Sequence, residues 1–146
     1  SDIEKANLLI KCIQQRSNAL KLLLEKLVVI QKDYILHGDM KMNPLTRAEI
    51  AAMLDMHEST ISRAVSNKTV QLPSKKIVPL SIFFDRSLAH RTLIKQMIEA
   101  EDHPLSDSEI QAMLKEKGIE IARRTVAKYR SMEGILPGNL RQAKTR

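Results

Sequence analysis

From residue 3 to residue 36 the apolar positions Ile3, Ala6, Ile10, Ile13, Leu20, Leu23, Leu24, Leu27 and Ile30 recur three and four residues apart. That spacing places them on one face of an α-helix. The polar run Gln14-Gln15-Arg16-Ser17-Asn18 interrupts the stripe and supplies a capping residue. The pattern therefore predicts two helices meeting near Ser17, the second ended by His37-Gly38-Asp39. An apolar helix pair of this kind can pack on a neighbouring domain, join a coiled coil or lie on a membrane. A Leu-rich stripe without Lys-flanked aromatics favours packing, so residues 1–40 are read as scaffold or partner surface.

A repeat follows. Pro44-Leu45-Thr46-Arg47-Ala48-Glu49-Ile50-Ala51-Ala52-Met53-Leu54 returns 60 residues later as Pro104-Leu105-Ser106-Asp107-Ser108-Glu109-Ile110-Gln111-Ala112-Met113-Leu114. Each copy opens with a capping box, the Thr or Ser accepting from a helix amide while the Glu reaches back to the cap. Both copies start a helix. Between them, Thr69-Val70-Gln71-Leu72, Pro73-Ser74-Lys75-Lys76 and Ile77-Val78-Pro79-Leu80 suit a small β-hairpin. A further helix over residues 87–101, with Leu88, Leu93, Met97 and Ile98 inward, stops at Asp102-His103-Pro104. Beyond Tyr129 the pattern decays through Gly134, Pro137 and Gly138 into a basic tail, expected to be mobile.

Each repeat leads into a second helix. After the first, Asp55 to Val65 reads as a tight turn and a helix, the arrangement of a helix-turn-helix. Ala51 lets the two helices approach, Asp55 must tolerate a left-handed backbone, and Ile61 plugs the core between them. After the second, Lys115 to Ile121 makes a turn five residues longer before the helix of residues 122–130. At 100° per residue Ala122, Val126 and Tyr129 face inward, while Arg124, Ala127, Lys128 and Ser131 face outward beside Arg123 and Arg130. Ser59, Ser62, Arg63 and Ser66 form the corresponding face of the first unit. The expected fold is thus mainly α: two small helical domains, each with a helix-turn-helix, and a short hairpin between them. The predicted divisions are residues 1–40, 41–86 and 87–146.

Composition turns this scaffold toward a polyanion. Lys and Arg number 24 against 17 Asp and Glu, a formal charge of +7. Residues 123–146 alone carry seven Lys or Arg and one Glu. Arg or Lys can read guanine O6 and N7 in a major groove, small Ser and Ala allow close approach, and Thr can touch phosphate or a thymine methyl. Tyr129 is expected to be half core, its hydroxyl turned to phosphate. The predicted DNA-binding set is therefore Ser59, Thr60, Ser62, Arg63, Ser66, Arg123, Arg124, Thr125, Ala127, Lys128, Tyr129 and Arg130. With only Tyr34, Phe83, Phe84 and Tyr129 aromatic, stacking platforms for single strands are absent and duplex DNA is the expected partner.

Other chemistry finds little footing. Cys12, the single cysteine, sits in an apolar helical pattern and receives no role. No apolar run has the length that spans a bilayer or directs secretion, which predicts a cytoplasmic protein without membrane association. His37, His57, His90 and His103 lack metal-site spacing, and neither a Gly-rich phosphate loop nor a nucleophile motif occurs, so no metal, cofactor or catalytic residue is expected.

These residues also resemble a known family, the C-terminal region of sigma-54 (RpoN) type bacterial sigma factors. Ala122-Arg123-Arg124-Thr125-Val126-Ala127-Lys128-Tyr129-Arg130 matches its nine-residue RpoN box. Pro104-Leu105-Ser106-Asp107, Gly118-Ile119, His57-Glu58-Ser59-Thr60-Ile61-Ser62-Arg63-Ala64, Phe83-Phe84 and Gln14-Gln15-Arg16 match as well. The resemblance implies that the RpoN box helix reads the GG core of the −24 promoter element and that the central helix-turn-helix, with Arg63, works near −12. It further implies core RNA polymerase as a partner, with an ATP-hydrolysing activator of the AAA+ class acting through regions largely absent here, and a monomer. Two departures affect loop geometry: Pro73-Ser74-Lys75-Lys76 lacks the glycine common in the family, and Asp55 replaces another. A transposase or recombinase module, a free-standing helix-turn-helix repressor, or a helical adaptor with a basic tail are the competing readings. A nuclease or transposase needs clustered carboxylates holding metal ions, which the sequence does not offer.

Overall fold

The computed structural model describes residues 1–142. Among these residues are seven α-helices and one antiparallel hairpin, arranged in two compact units, residues 1–86 and 87–146. The mainly helical fold and the small sheet are those the patterning predicts.

The first unit begins with α1 (Asp2–Ile30), whose capping box pairs Ser1 with Glu4. It runs without a break, against the expected division near Ser17. Residues 1–18 are all exposed, so the polar run simply occupies a solvent-facing turn. Gln and Arg are good helix formers, and neither Gly nor Pro is present to stop the helix. Ile3, Leu8, Leu9, Ile10 and Ile13 are exposed, whereas Ala19, Leu23 and Leu27 are buried. Gln31 closes α1 from a fully buried position. Its Nε2 donates to the carbonyls of Asn43 (2.8 Å) and Phe83 (3.1 Å), and its Oε1 accepts from the Asn43 amide (2.9 Å). A buried amide so satisfied costs little and fixes the loop after α2 (Lys32–His37) against the far end of the unit. Tyr34 meets Phe83 edge to face, with ring centroids 5.6 Å apart.

Two short helices, α3 (Arg47–Met53) and α4 (Glu58–Val65), follow, and α4 packs on α1 as well as on α3. The hairpin strands β1 (Thr69–Gln71) and β2 (Ile77–Pro79) pair in the register Val70 to Val78. A 3-10 turn, Leu80–Phe84, then places Leu80 and Phe83 in the core.

The second unit contains α5 (Leu88–Glu99), α6 (Asp107–Glu116) and α7 (Arg123–Met132). Its core consists of Ile94, Met97, Ile98, Leu105, Ile110, Leu114 and Val126, with Leu93 only partly buried at its edge. The segment after α7 is tied down, contrary to the expected mobile tail, as far as it is described. Arg141 grips Glu101 through Nε (2.9 Å) and Nη2 (2.8 Å) and donates to the carbonyls of Leu136 and Leu105 (both 2.7 Å). Gly138 passes so near that a Cβ there would lie 2.6 Å from the Leu105 carbonyl oxygen. The predicted tail beyond residue 142 lies outside the described residues.

Candidate nucleic-acid interface

Both helix-turn-helix units are built from the same local chemistry. Thr46 Oγ1 accepts from the Glu49 amide at 3.1 Å while Glu49 Oε2 accepts from the Thr46 amide at 2.7 Å. Ser106 and Glu109 repeat this at 3.2 and 2.7 Å. Donating two hydrogen bonds to each carboxylate favours its charged form, which holds Glu49 and Glu109 below the usual carboxylate range. Each box fixes where the first helix starts, and so where its partner helix must cross.

In the first unit, Ala51 is buried at the helix contact and Ile61 fills the interior with no exposure at all. Asp55 carries the turn at φ 52°, in the left-handed region, and the Met56 amide closes it on the Ala51 carbonyl at 2.9 Å. A short polar side chain bears that conformation better than most. α4 then presents Ser59, Ser62, Arg63 and Ser66 on an exposed face, with Thr60 half-buried beside them. No side chain caps its first turn, where His57 stands at the N-cap.

The second unit needs a longer turn. Gly118 adopts φ 80°, the Ile119 amide bonds the Leu114 carbonyl at 2.9 Å, and Gln111 Nε2 braces the Ile121 carbonyl at 3.2 Å. α7 emerges with Val126 buried, and Arg123, Arg124 and Lys128 exposed, while Thr125, Ala127 and Tyr129 are half-buried at the margin of that face. Ala122, expected inward, is exposed because it is the N-cap, ahead of the first turn that packs.

Arg130 does not share the outward surface. It is 7% exposed, its Nε and Nη2 hold the two carboxylate oxygens of Asp107 at 2.8 and 3.2 Å, and its Nη1 donates to the Ile135 carbonyl at 2.7 Å. The helix period turns it away from Arg123 and toward the start of α6, and the fork of its guanidinium matches a carboxylate there. A second pair, Arg91 Nη1 to Glu133 Oε1 at 2.6 Å, ties α5 to the end of α7. Sequence reading missed both anchors, since each joins residues 23 or 42 positions apart.

The exposed cations of α4 and those of α7 are each left without a neutralising partner among the described residues. From residue 59 to residue 84 no Asp or Glu occurs, while Arg63, Lys68, Lys75 and Lys76 do. On α7, Arg123, Arg124 and Lys128 enter into no ion pair found among the described residues. Such faces attract phosphate and leave donors available to base edges. Groups of His, Cys, Asp and Glu able to hold a metal do not occur among the described residues, and no helix there is long and apolar enough to cross a membrane.

Comparison with known proteins places the chain in a DNA-binding family. Residues 1–143 match the family described as "Sigma-54, DNA binding domain". The RNA polymerase sigma-54 factor of Pseudomonas putida is 38% identical over 97% of this chain and 31% of its own length. That of Escherichia coli K12 is 38% identical over 97% of the chain and 32% of its own length. The crystal structure of Aquifex aeolicus sigmaN bound to promoter DNA is similar with a TM-score of 0.58 and 40% identity, covering 91% of this chain and 43% of that one. The chain thus spans about a third of the length of the curated relatives it matches.

Proposed function

This chain belongs to the family of sigma-54 DNA-binding domains, and from that premise we propose that it binds promoter DNA sequence-specifically for transcription initiation. In this reading α7 enters the major groove at the −24 element and α4 works near −12. The observation that carries it is the face of α7: Arg123, Arg124 and Lys128 stand exposed on a helix whose inner side is locked by Val126 and Arg130. A guanidinium on such a helix suits the O6 and N7 acceptors of guanine, and the smaller Thr125 and Ala127 leave room for approach. Arg130 serves this reading as the residue that holds the helix, while Ser59, Thr60, Ser62, Arg63 and Ser66 make the lighter contacts of α4. Tyr129 adds a phosphate contact at the margin.

The function so proposed is binding without catalysis, in the bacterial cytoplasm, as a monomer. Core RNA polymerase and an AAA+ activator are partners of the whole factor in this reading. The exposed apolar face of α1 formed by Ile3, Leu9, Ile10 and Ile13 supports a polymerase-proximal role for that helix.

The test is a titration of labelled duplexes with and without paired GG and GC elements, about one helical turn apart, at two salt concentrations. Tighter binding to the paired elements is expected at both. Equal affinity for both duplexes overturns the promoter reading.

A further inference from the structure

We infer that the β1–β2 hairpin is a DNA-gripping wing, with Lys75 and Lys76 at its tip bound to backbone phosphates of the duplex that α4 engages. The inference rests on the reading of α4 as a DNA-contacting helix and adds a second, sequence-independent contact to the same unit.

The hairpin is held firmly at its base and bare at its tip. Leu72 and Val78 are buried, and the Leu80 amide bonds the Lys68 carbonyl at 2.8 Å, extending the ladder. At the tip, the Lys75 amide closes a turn on the Leu72 carbonyl and the Leu72 amide reaches the Lys76 carbonyl, both at 2.9 Å. This is a three-residue loop, with Pro73 entering the turn and Lys75 in the position that takes a left-handed backbone. Lys75 has φ 71° there. Glycine would occupy that position without strain; a lysine does so at a cost. Such outliers collect where a side chain serves a purpose beyond folding.

The charge pattern gives the purpose. Lys75 and Lys76 are exposed, and neither has an ion-pair partner among the described residues. They lie within the acid-free run of residues 59–84, so nothing in that stretch neutralises them. The hairpin also springs from the end of α4 itself. A crevice of roughly 590 Å³ is lined by Ser62 of α4, by Ser66 just past its end, and by Lys68, Thr69 and Pro79 at the base of the hairpin. Phosphate is the ligand that suits two adjacent ammonium groups on a preformed tip, because binding it releases counterions without the need to order the backbone.

Lys75→Gly separates this role from folding, since it relieves strain while deleting charge. The variant is expected to melt about 4 °C higher than the parent chain. Its affinity for duplex DNA falls roughly tenfold at about 0.1 M salt, and the slope of log K against log salt falls by about 0.9. Lys76→Ala gives a similar loss of slope, and in both variants the loss is the same on duplexes with and without the paired elements. Arg63→Ala is measured alongside. If Lys75→Gly and Lys76→Ala leave affinity and slope unchanged while Arg63→Ala weakens binding, the wing is overturned and the reading of α4 stands. If Arg63→Ala is silent while the lysine variants lose slope, the hairpin binds DNA and the reading of α4 falls.

Discussion

At the starts of α3 and α6 three positions recur with the same task. A hydroxyl caps the helix at Thr46 or Ser106, a carboxylate answers it at Glu49 or Glu109, and Ile50 and Ile110 are fully buried one residue later. The partner helices then part company. α4 presents Arg63 as its single cation among serines, whereas α7 presents Arg123, Arg124 and Lys128 and commits Arg130 to an internal pair. Caps and buried plugs thus satisfy the demands of folding, which leaves the outward face free to vary. The position after the cap shows where that freedom ends. Asp107 anchors Arg130, but its repeat counterpart Arg47 lies over the ring of Phe84, 5.1 Å from its centroid.

That last difference sets the largest expected effect. Asp107→Ala leaves the Arg130 side chain, 9% exposed, without its carboxylate, and breaking a buried pair on one side costs about 3–5 kcal/mol. A unit of residues 87–146 loses most of its stability by that change. Arg47→Ala removes a cation–π contact and costs about 0.5–1 kcal/mol. Denaturant melts followed by hydrogen exchange assign each loss to its unit. Equal losses would mean that Arg130 is no anchor.

The next contrast concerns DNA. Arg124→Ala is expected to weaken specific binding by about 1–3 kcal/mol and to relax selectivity at one base pair. Arg63→Ala should cost less, because α4 carries one cation where α7 carries three exposed ones. Fluorescence anisotropy on matched and singly substituted duplexes gives both numbers. A larger loss from Arg63→Ala would make α4 the main reader.

The caps should behave alike. Thr46→Ala and Ser106→Ala each remove one cap acceptor, and each is expected to destabilise its own unit by about 1 kcal/mol. Thermal melts of the two variants test whether the repeated box contributes equally in both settings. A twofold difference would place the distinction between the units in their scaffold as well as in their faces.

What the sequence reveals follows the range of the interactions involved. Both capping boxes, the turn at Asp55 and the hairpin are settled within a few residues, and all are legible as patterns. The continuity of α1 is not, because Ser17 and Asn18 look like a cap and only their solvent exposure shows that nothing there requires one. Arg130 reads as one of a row of outward cations, yet its partner Asp107 sits 23 positions earlier. Gln31 stands outside every pattern in the sequence, although its amide bridges Asn43 and Phe83 inside the first unit. Arg141 reads as tail and is instead held by Glu101, 40 positions before it. In the last three cases the missing information is a long-range polar partner, which periodicity cannot supply.

The smallest effect distinguishes the two caps by acid. Glu49 is held below the usual carboxylate range by the Thr46 amide first and its hydroxyl second, with Arg86 adding a favourable charge against some desolvation. Glu109 is held down by the Ser106 amide and hydroxyl, again against desolvation, and by His103, whose Nε2 lies 3.6 Å away. A depressed folded-state pKa contributes stability that is fully present above the ordinary value of 4.5 and is lost as pH falls through the folded value. Glu49→Gln and Glu109→Gln keep the capping geometry but cannot titrate. The melting-temperature gap between the parent chain and either variant should therefore shrink on going from about pH 6 to about pH 3. His103 beside the Glu109 carboxylate adds a depressing contact of a kind that Glu49 lacks. Both gaps close as pH falls, and the two variants are expected to differ in the pH at which they close. Identical profiles for the two variants would remove His103 from the account and leave the two boxes electrostatically equivalent.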